Sequence, residues 1–439
     1  MRSIDPDRCG RGVSFCVPGC RGRIVTRVRR YRTATLAAAV AGAVRAACIR
    51  RGPRKALVSQ RARGERRAVI VTFLITATRE PMGHTTALYD FASGLSQRGH
   101  EVHVVHLPPT NRRTGKPARS LDEMEWFDFP GGIDHHFVDD FTPAALPRAD
   151  FVVPRFLDAA ASEHSFFRDL GPSAPTWCGL PVQFVQGYSV FPESHHDEQF
   201  WLRCPKICVS GWLRDLVISR GVSAAEVLLI PNGIDLTKYR VEVPIADREP
   251  VIAMNYRPHP VKGSGYGIQA ILAARQTFPD IRIVTFGTRG RDDRLAADID
   301  YVESPRQDML VGEIFNRASV FVAPSLLEGF GLCAIQAMAC GCALVTTANG
   351  GSEEYAQHGK TAMVSAPRDV QTMRANIEAL LENDHLRTSL ATHGIEHAQS
   401  FSRERSAALL EQFLLAYRED PNTFRGKRHR RQPGNAAAW

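Results

Sequence analysis

In the stretch PSLLEGFGLCAIQAMACG, residues 324–341, one acidic residue, Glu328, is followed by a phenylalanine between two glycines and then by an apolar run. SVFVAPS (319–325) predicts a strand, so LLEGFG lies at its carboxyl end and a helix begins near Gly331. Free N–H groups at a helix start, beside glycines that allow close approach, suit a phosphate. Glu328 repels phosphate but accepts hydrogen bonds from hydroxyls, as can Gln336. The stretch indicates a sugar bound beside a phosphate; the alternative is a capped core helix with an incidental Glu.

A pair of basic residues lies at a second predicted strand end. NYRPHPVKG (255–263) follows the predicted strand VIAMNY, so Arg257 and Lys262 also project from a carboxyl end. Two cations that face a helix start form a clamp for a diphosphate. In a transfer reaction that clamp would stabilise charge that builds on a leaving group. Taken alone, exposed cations on a loop are commonly inert, which is the alternative interpretation.

Strand-like and helix-like segments alternate along most of the chain. Predicted strands cover 67–77, 100–107, 150–156, 181–187, 206–210, 226–233, 251–256, 281–287, 319–325 and 343–348, and predicted helices cover 84–99, 267–278, 309–318, 369–383 and roughly 402–418. A strand–helix–strand unit at the start implies parallel strands. The sequence therefore predicts an α/β fold of two Rossmann-like, doubly wound domains that face a cleft, with ligands beyond the carboxyl ends of the strands.

The basic residues are concentrated at the two ends of the 439-residue chain. Residues 1–67 contain 18 Lys and Arg against 3 Asp and Glu, whereas 68–420 contain 32 against 43. An acidic body argues against a nucleic-acid partner. We expect 1–66 to be a disordered basic arm, or the product of a start codon assigned too early, and 421–439 to be a basic tail. The apolar run 33–44 is too short to span a membrane.

The cysteines do not predict a metal site. Cys9, Cys16 and Cys20 lack a fourth ligand at a spacing typical of zinc sites. The other seven lie mostly in apolar segments, as expected for packing residues in a reducing cytoplasm. DID (298–300) could suggest a metal-binding carboxylate motif, but solvated carboxylates are the favoured interpretation. No metal and no cofactor are therefore expected.

Several motifs, in the right order on the right elements, resemble the retaining GT-B glycosyltransferases of family 4. That family carries Glu, seven residues and Glu in an EGFG context, which here becomes Glu328 and Gln336, and it carries Arg and Lys five apart, as Arg257 and Lys262 are. Further matches are RGHEV (98–102), PNGID (231–235) and NGGSEE (349–354). VQGYSVF (185–191) and VSGWLRDLV (209–217) are similar to a branch that contains bacterial rhamnosyltransferases, a weaker hint. The resemblance covers most of 68–420.

The resemblance implies a role for each matching residue. Arg257, Lys262 and Glu328 would be catalytic, the first two at the donor diphosphate and the third at the transferred sugar. Gln336 would hold the ribose, because an amide keeps an acceptor oxygen and adds donors. The remaining donor-binding positions are Gly83, His84, Gly329, Phe330, Gly331 and Leu332. GT-B enzymes generally do not depend on a metal.

The resemblance also implies an arrangement of domains. Residues 67–245 would bind the acceptor, 246–400 the nucleotide-sugar donor, and 401–420 would form a helix that crosses back to the first domain. Two departures stand out: Met82-Gly83 replaces the usual glycine pair, and Pro154-Arg155 stands where a His is often found. They put the contacts to donor sugar and acceptor in doubt.

Three functions compete at this point. The favoured one is transfer of a sugar, with retention, from a nucleotide sugar to a glycan, lipid-linked or small-molecule acceptor, as in cell-envelope polysaccharide biosynthesis. The alternatives are nucleotide-sugar epimerisation and non-catalytic binding of a sugar or nucleotide. We expect a cytoplasmic protein whose basic arm could contact the inner face of the membrane.

Overall fold

The computed structural model describes residues 68–76, 79–107, 118–139, 141, 143–154, 179–188, 200 and 204–424. All of them belong to one compact unit, Arg63–Trp439. The predicted basic arm, Arg155 and most of the predicted basic tail lie outside the described residues.

Among the residues that the structure describes, eight strands belong to the first lobe. They are β1 (Ile70–Thr76), β2 (Glu101–Leu107), β3 (Ile133–Phe137), β4 (Phe151–Pro154), β5 (Leu180–Pro181), β6 (Gln183–Val185), β7 (Lys206–Cys208) and β8 (Val227–Leu229). The first five form a parallel sheet in the order β3-β2-β1-β4-β5, and the last three form a second parallel sheet in the order β6-β7-β8. The predicted strand 181–187 thus changes partners at Val182, whose N–H donates to the carbonyl of Val152.

Six parallel strands build the second lobe. They are β9 (Val251–Asn255), β10 (Arg282–Gly287), β11 (Asp300–Glu303), β12 (Val320–Ala323), β13 (Ala343–Thr347) and β14 (Ala362–Ser365). Their order is β11-β10-β9-β12-β13-β14, in which the chain starts at β9, builds outward on one side and then crosses to the other. This is the dinucleotide-binding strand order, whose switch point lies between β9 and β12.

Helices flank the sheets of both lobes. They are α1 (Gly83–Gln97), α2 (Gly211–Ser219), α3 (Ser264–Thr277), α4 (Gln307–Met309, continued by a π-helical turn at Leu310–Phe315), α5 (Leu332–Ala339), α6 (Val370–Glu382), α7 (Asp384–Ala398) and α8 (Arg403–Glu419). Within the part of the chain that the structure describes, none of the helices has the length and apolar character needed to cross a bilayer.

The strands that the sequence did not predict lie at sheet edges. β3, β11 and β14 each end a sheet, and β3 and β11 are partly exposed along their length. An edge strand is covered on fewer sides and therefore lacks the continuous apolar run that marks a buried strand. α7 was also missed, because its apolar residues do not form a clear helical stripe.

α8 ties the second half of the chain to the first lobe. Arg98, at the end of α1, donates two hydrogen bonds to Oε2 of Glu411 on α8, and Nε2 of His100 lies 3.1 Å from Oε1 of the same carboxylate. The helices also touch closely, since a Cβ at Gly94 would lie 2.5 Å from the Cβ of Ala407.

Four histidines meet across β2 and β3. Nε2 of His106 lies 2.9 Å from Nδ1 of His135, and Nε2 of His136 lies 3.3 Å from Nδ1 of His103. Burial, reinforced by the neighbouring imidazoles, lowers the pKa of His106 to about 3 and that of His135 to about 4. Both rings are therefore neutral in the folded protein at pH 5 to 6.

The histidine pair should make the protein acid-sensitive. Below about pH 6.5, His106 and His135 bind protons in the unfolded chain but not in the folded protein. The free energy of unfolding therefore falls as the pH falls towards 4. His135→Gln should lower by about one the number of protons taken up on unfolding in this range. Urea unfolding at several pH values measures that number. His393→Gln, at an exposed site on α7, should leave it unchanged; an equal number for wild type and His135→Gln would contradict the prediction.

Candidate active site at the strand switch point

The residues singled out from the sequence follow strands that flank the switch points. Arg257 and Lys262 follow β9, and Glu328 follows β12, the neighbouring strand. Gly83 follows β1, which pairs with β4 in the first lobe. Because the carboxyl ends of the parallel strands β9 and β12 meet at one edge of their sheet, the side chains of Arg257, Lys262 and Glu328 project towards the same crevice.

A close backbone contact joins the two loops of the second lobe. The N–H of Leu326 donates to the carbonyl of Val261 at 2.7 Å. Gly263 has a φ of 61°, and a Cβ there would overlap the carbonyl oxygen of Pro324. The loop that carries Lys262 therefore lies against the loop that carries Glu328, and glycine is required at 263.

Glu328 and Lys262 form an ion pair in the crevice. Nζ of Lys262 lies 2.7 Å from Oε1 of Glu328, and the hydroxyl of Ser325 donates to the same oxygen at 2.7 Å. The Lys262 side chain is 39 % exposed and that of Glu328 is 18 % exposed. The backbone of Glu328 is fixed as well, because its N–H donates to Asn349 and its carbonyl accepts from Gly351.

Arg257 reaches from the second lobe to the first. Its guanidinium donates to the carbonyl of Pro81 at 3.2 Å, immediately before α1. Its own backbone is held by Ser264, whose hydroxyl bonds both the N–H and the carbonyl of Arg257. At α1 no side chain caps the helix start at Met82, and a Cβ on Gly83 would meet open space. The side-chain amide of Gln186 donates to the carbonyl of His84.

The start of α5 presents backbone and not side chains. Phe330 is buried and packs edge-on against Tyr355 and Phe401. Gly331 has a φ of 96°, and a Cβ there would overlap the Tyr355 hydroxyl, so this position also requires glycine. Leu332 is buried too. Only the N–H groups of this turn can face a ligand.

Gln336 lies in the second turn of α5 and is only 4 % exposed. No hydrogen bond joins its side-chain amide to another residue in the described part of the chain. The thiol of Cys333, near the same helix start, accepts a hydrogen bond from the Asn255 amide at 3.2 Å. Burial raises the pKa of this thiol, so it brings no negative charge to the anion site.

The carboxylates of the DID segment pair with arginines. Asp298 lies 2.7 Å from Arg275, and Asp300 lies 2.8 Å from Arg282. Across the described residues no group of three or more His, Cys, Asp or Glu side chains is arranged to hold a metal ion.

Sequence reasoning assigned no role to two residues that contact this site. Ser210 and Trp212, at the start of α2, hydrogen-bond to the backbone of Glu328 and Gly329. In the sequence these two residues stood out only as part of the segment VSGWLRDLV, which is similar to a branch of the family that contains bacterial rhamnosyltransferases.

The fold is shared with solved glycosyltransferase structures. HepE of Anabaena in complex with UDP-glucose aligns with a TM-score of 0.61 at 16% identity over 79% of this chain and all of that one. Sucrose-phosphate synthase of Thermosynechococcus elongatus aligns with a TM-score of 0.60 at 16% identity over 79% of this chain and 98% of that one. The fold is GT-B. The predicted fold class is thereby confirmed.

The match to a family model lies mainly in the second lobe. Residues 235–397 match the family described as "Glycosyl transferases group 1". D-inositol 3-phosphate glycosyltransferase of Actinosynnema mirum is 26% identical over 226 residues, which cover 46% of this chain and 54% of the relative. Glycogen synthase of Mycobacterium tuberculosis is 31% identical over 180 residues, covering 37% and 42%. The chain thus spans about half the length of the curated relatives it matches.

Proposed function

We propose that this protein is a glycosyltransferase that moves a sugar from a nucleoside-diphosphate sugar to an acceptor hydroxyl with retention of configuration. The observation that carries the proposal is the convergence of Arg257, Lys262, Glu328 and the start of α5 at the switch point of the second lobe. The match of 235–397 to glycosyl transferases group 1 supports it, as does the likeness to HepE, which has been solved in complex with UDP and with UDP-glucose. The resemblance to family 4 is the basis for retention.

The diphosphate of the donor would bind where the positively charged groups of the site lie. Lys262 and Arg257 supply two fixed charges, and the N–H groups at residues 329–332 add the partial charge of a helix start. Transfer breaks the bond between the anomeric carbon and the diphosphate, and both electrons leave with the diphosphate. The cations and N–H groups stabilise this charge in the transition state. With that charge met by the protein, we propose that neither a metal nor another cofactor is required.

Glu328 would contact the transferred sugar. In the unliganded protein its carboxylate balances the charge of Lys262 at 2.7 Å. A bound diphosphate would share Lys262, which leaves the carboxylate oxygens of Glu328 to accept hydrogen bonds from sugar hydroxyls. Gln336, whose amide has no partner within the described residues, would bind the ribose. Gly83 and His84 would approach the donor from the first lobe.

The acceptor class remains the one expected from the sequence: a glycan, a lipid-linked sugar or a small molecule. Two relatives, D-inositol 3-phosphate glycosyltransferase and glycogen synthase, are named after a small phosphorylated molecule and a glycan, respectively. We propose that the acceptor hydroxyl enters from the first lobe, opposite the nucleotide. Family 4 membership, a place in cell-envelope polysaccharide biosynthesis and a cytoplasmic location belong to the same proposal.

A donor panel tests the proposed function. UDP-, GDP-, ADP- and dTDP-sugars are each incubated with the protein, and release of nucleoside diphosphate is followed. One donor should stabilise the protein, by about 2.7 kcal/mol at 100 times its Kd, and should be hydrolysed slowly. Proton NMR should show that the sugar is first released with the anomeric configuration of the donor. Binding without turnover, even with glycan and cyclitol acceptors added, would instead support a non-catalytic binding protein.

A further inference from the structure

The donor loop of the second lobe is held by residues of the first lobe. The indole N–H of Trp212 donates to the carbonyls of Glu328 at 2.9 Å and Gly329 at 3.3 Å, and the hydroxyl of Ser210 donates to the carbonyl of Gly329 at 2.6 Å. Ser210 is fully buried. These contacts join positions separated by 116 to 119 residues, so they are tertiary and not part of local turn structure.

Two glycines make room for this contact. Gly350 has a φ of 84°, and a Cβ there would lie 2.9 to 3.0 Å from atoms of the Trp212 indole. A Cβ on Gly329 would overlap the carbonyl oxygen of Gln186, at the end of the first lobe's β6. The start of α2 is itself fixed, since Glu354 accepts a hydrogen bond from the N–H of Gly211 at 2.5 Å. The loop and the first lobe are therefore fitted to one another.

The held carbonyls determine where the loop N–H groups point. A trans peptide is planar, with its C=O and N–H on opposite sides. The hydrogen bond to the Glu328 carbonyl therefore directs the N–H of Gly329 away from Trp212. The hydrogen bonds to the Gly329 carbonyl likewise direct the N–H of Phe330 away from Ser210 and Trp212. The Tyr355 hydroxyl donates to the carbonyl of Gly331 at 3.1 Å and so directs the next N–H. Within the described residues these N–H groups have no acceptor.

We propose that Ser210 and Trp212 are positioning residues for the donor: they hold the Glu328 and Gly329 carbonyls so that the N–H groups of Gly329 and Phe330 face the diphosphate. This inference rests on the proposed function. The two residues act through the loop backbone and touch no substrate themselves. The same hydrogen bonds fix the main chain of Glu328 and with it the root of the carboxylate that contacts the sugar. The first lobe thereby contributes to donor binding as well as to acceptor binding.

The test compares Ser210→Ala, Trp212→Phe and the double variant with wild type. Phenylalanine keeps an aromatic side chain but removes the indole N–H together with the five-membered ring that lies against Gly350. The matched control is Ser219→Ala, because Ser219 also donates its hydroxyl to a backbone carbonyl but lies at the exposed far end of α2. Affinity is measured by calorimetry with UDP, GDP, ADP and dTDP, using whichever binds wild type most tightly, and kcat and KM are measured with the matching nucleotide sugar.

Each single variant should weaken nucleoside-diphosphate binding about fivefold, and the double variant tenfold or more. The double variant should lower kcat as well as raise KM, because the N–H groups also meet charge that builds in the transition state. The melting temperature of the unliganded protein should fall by only a few degrees, because the Gly329 carbonyl loses its donors. Ser219→Ala should behave as wild type. A loss of affinity matched by a large fall in melting temperature would indicate a merely structural role and overturn the inference.

A Lys262→Ala variant separates the inference from the proposed function on which it rests. If Lys262→Ala loses binding while the double variant binds and turns over as wild type does, the inference is wrong and the proposed function stands. If none of the four nucleotides binds wild type, or if Lys262→Ala binds them unchanged, the proposed donor site is wrong and the inference falls with it.

Discussion

Lys262→Ala should lower kcat with a nucleotide-sugar donor by a factor of about 10²–10³ while the protein stays folded. The Lys262 side chain is 39 % exposed in the crevice and belongs to no apolar core, so its loss leaves no buried cavity. Its partner Glu328 keeps the hydrogen bond from Ser325. What is lost is a fixed positive charge next to the oxygens on which negative charge builds as the sugar leaves. Steady-state kinetics at saturating donor measures the effect.

The controls for this prediction distinguish charge, geometry and general damage. Lys360→Ala removes a lysine at an exposed site of the same lobe and should leave kcat unchanged. Arg257→Lys keeps a charge but should also impair turnover, because an ammonium cannot reproduce the planar fork that donates to the Pro81 carbonyl and, in the proposed mechanism, to a donor phosphate. Activity should persist in excess EDTA. Turnover of Lys262→Ala within threefold of wild type, or complete loss of wild-type activity in EDTA, would refute the mechanism.

The location of this site could be predicted because strand ends are visible in the sequence. β9 and β12 are apolar runs buried at the centre of the sheet, and each is followed at once by polar residues and glycines. Parallel pairing then brings Arg257 and Glu328 to the same edge without any knowledge of tertiary contacts. The Lys262–Glu328 ion pair is the direct result of that pairing.

The interactions that hold the site could not be predicted in this way. Ser210 and Trp212 contact the donor loop because the two lobes pack together. The periodicity of apolar residues predicts local helices and strands, but it does not predict contacts between residues so far apart in sequence. The sequence predicted that Gly329 allows close approach of a phosphate, whereas Gly350 was noted only as part of the NGGSEE match to the family. The structure shows that each also admits an atom of the first lobe. β3 and β11, at the sheet edges, lacked an apolar run for a related reason, because the neighbours that stabilise them are distant in sequence.

The largest loss of stability should come from Arg403→Met. Arg403 begins α8 and lies almost fully buried, with Nη1 3.0 Å from Oδ2 of Asp235 and 3.9 Å from Oδ1 of Asp90. Burial raises the pKa of Asp90 to about 8, so near pH 7 Asp90 is mostly protonated and Asp235 balances the guanidinium. Methionine keeps the apolar volume but leaves the Asp235 carboxylate buried without its cation. We expect a loss of about 3–5 kcal/mol in the free energy of unfolding, measured with urea.

The buried charge, and not the missing side chain, should account for most of this loss. Arg403→Met combined with Asp235→Asn should recover more than half of it, because asparagine keeps the oxygen that accepts from the N–H and hydroxyl of Thr237 and carries no charge. Arg405→Met, on the exposed side of the same turn, should cost less than about 0.5 kcal/mol. If Arg403→Met lowered the free energy of unfolding no more than Arg405→Met does, the contacts of Arg403 with Asp235 and Asp90 would not stabilise the position of α8. Since a Cβ at Gly233 would lie 2.6 Å from the Arg403 backbone, the main chains also approach closely at this junction.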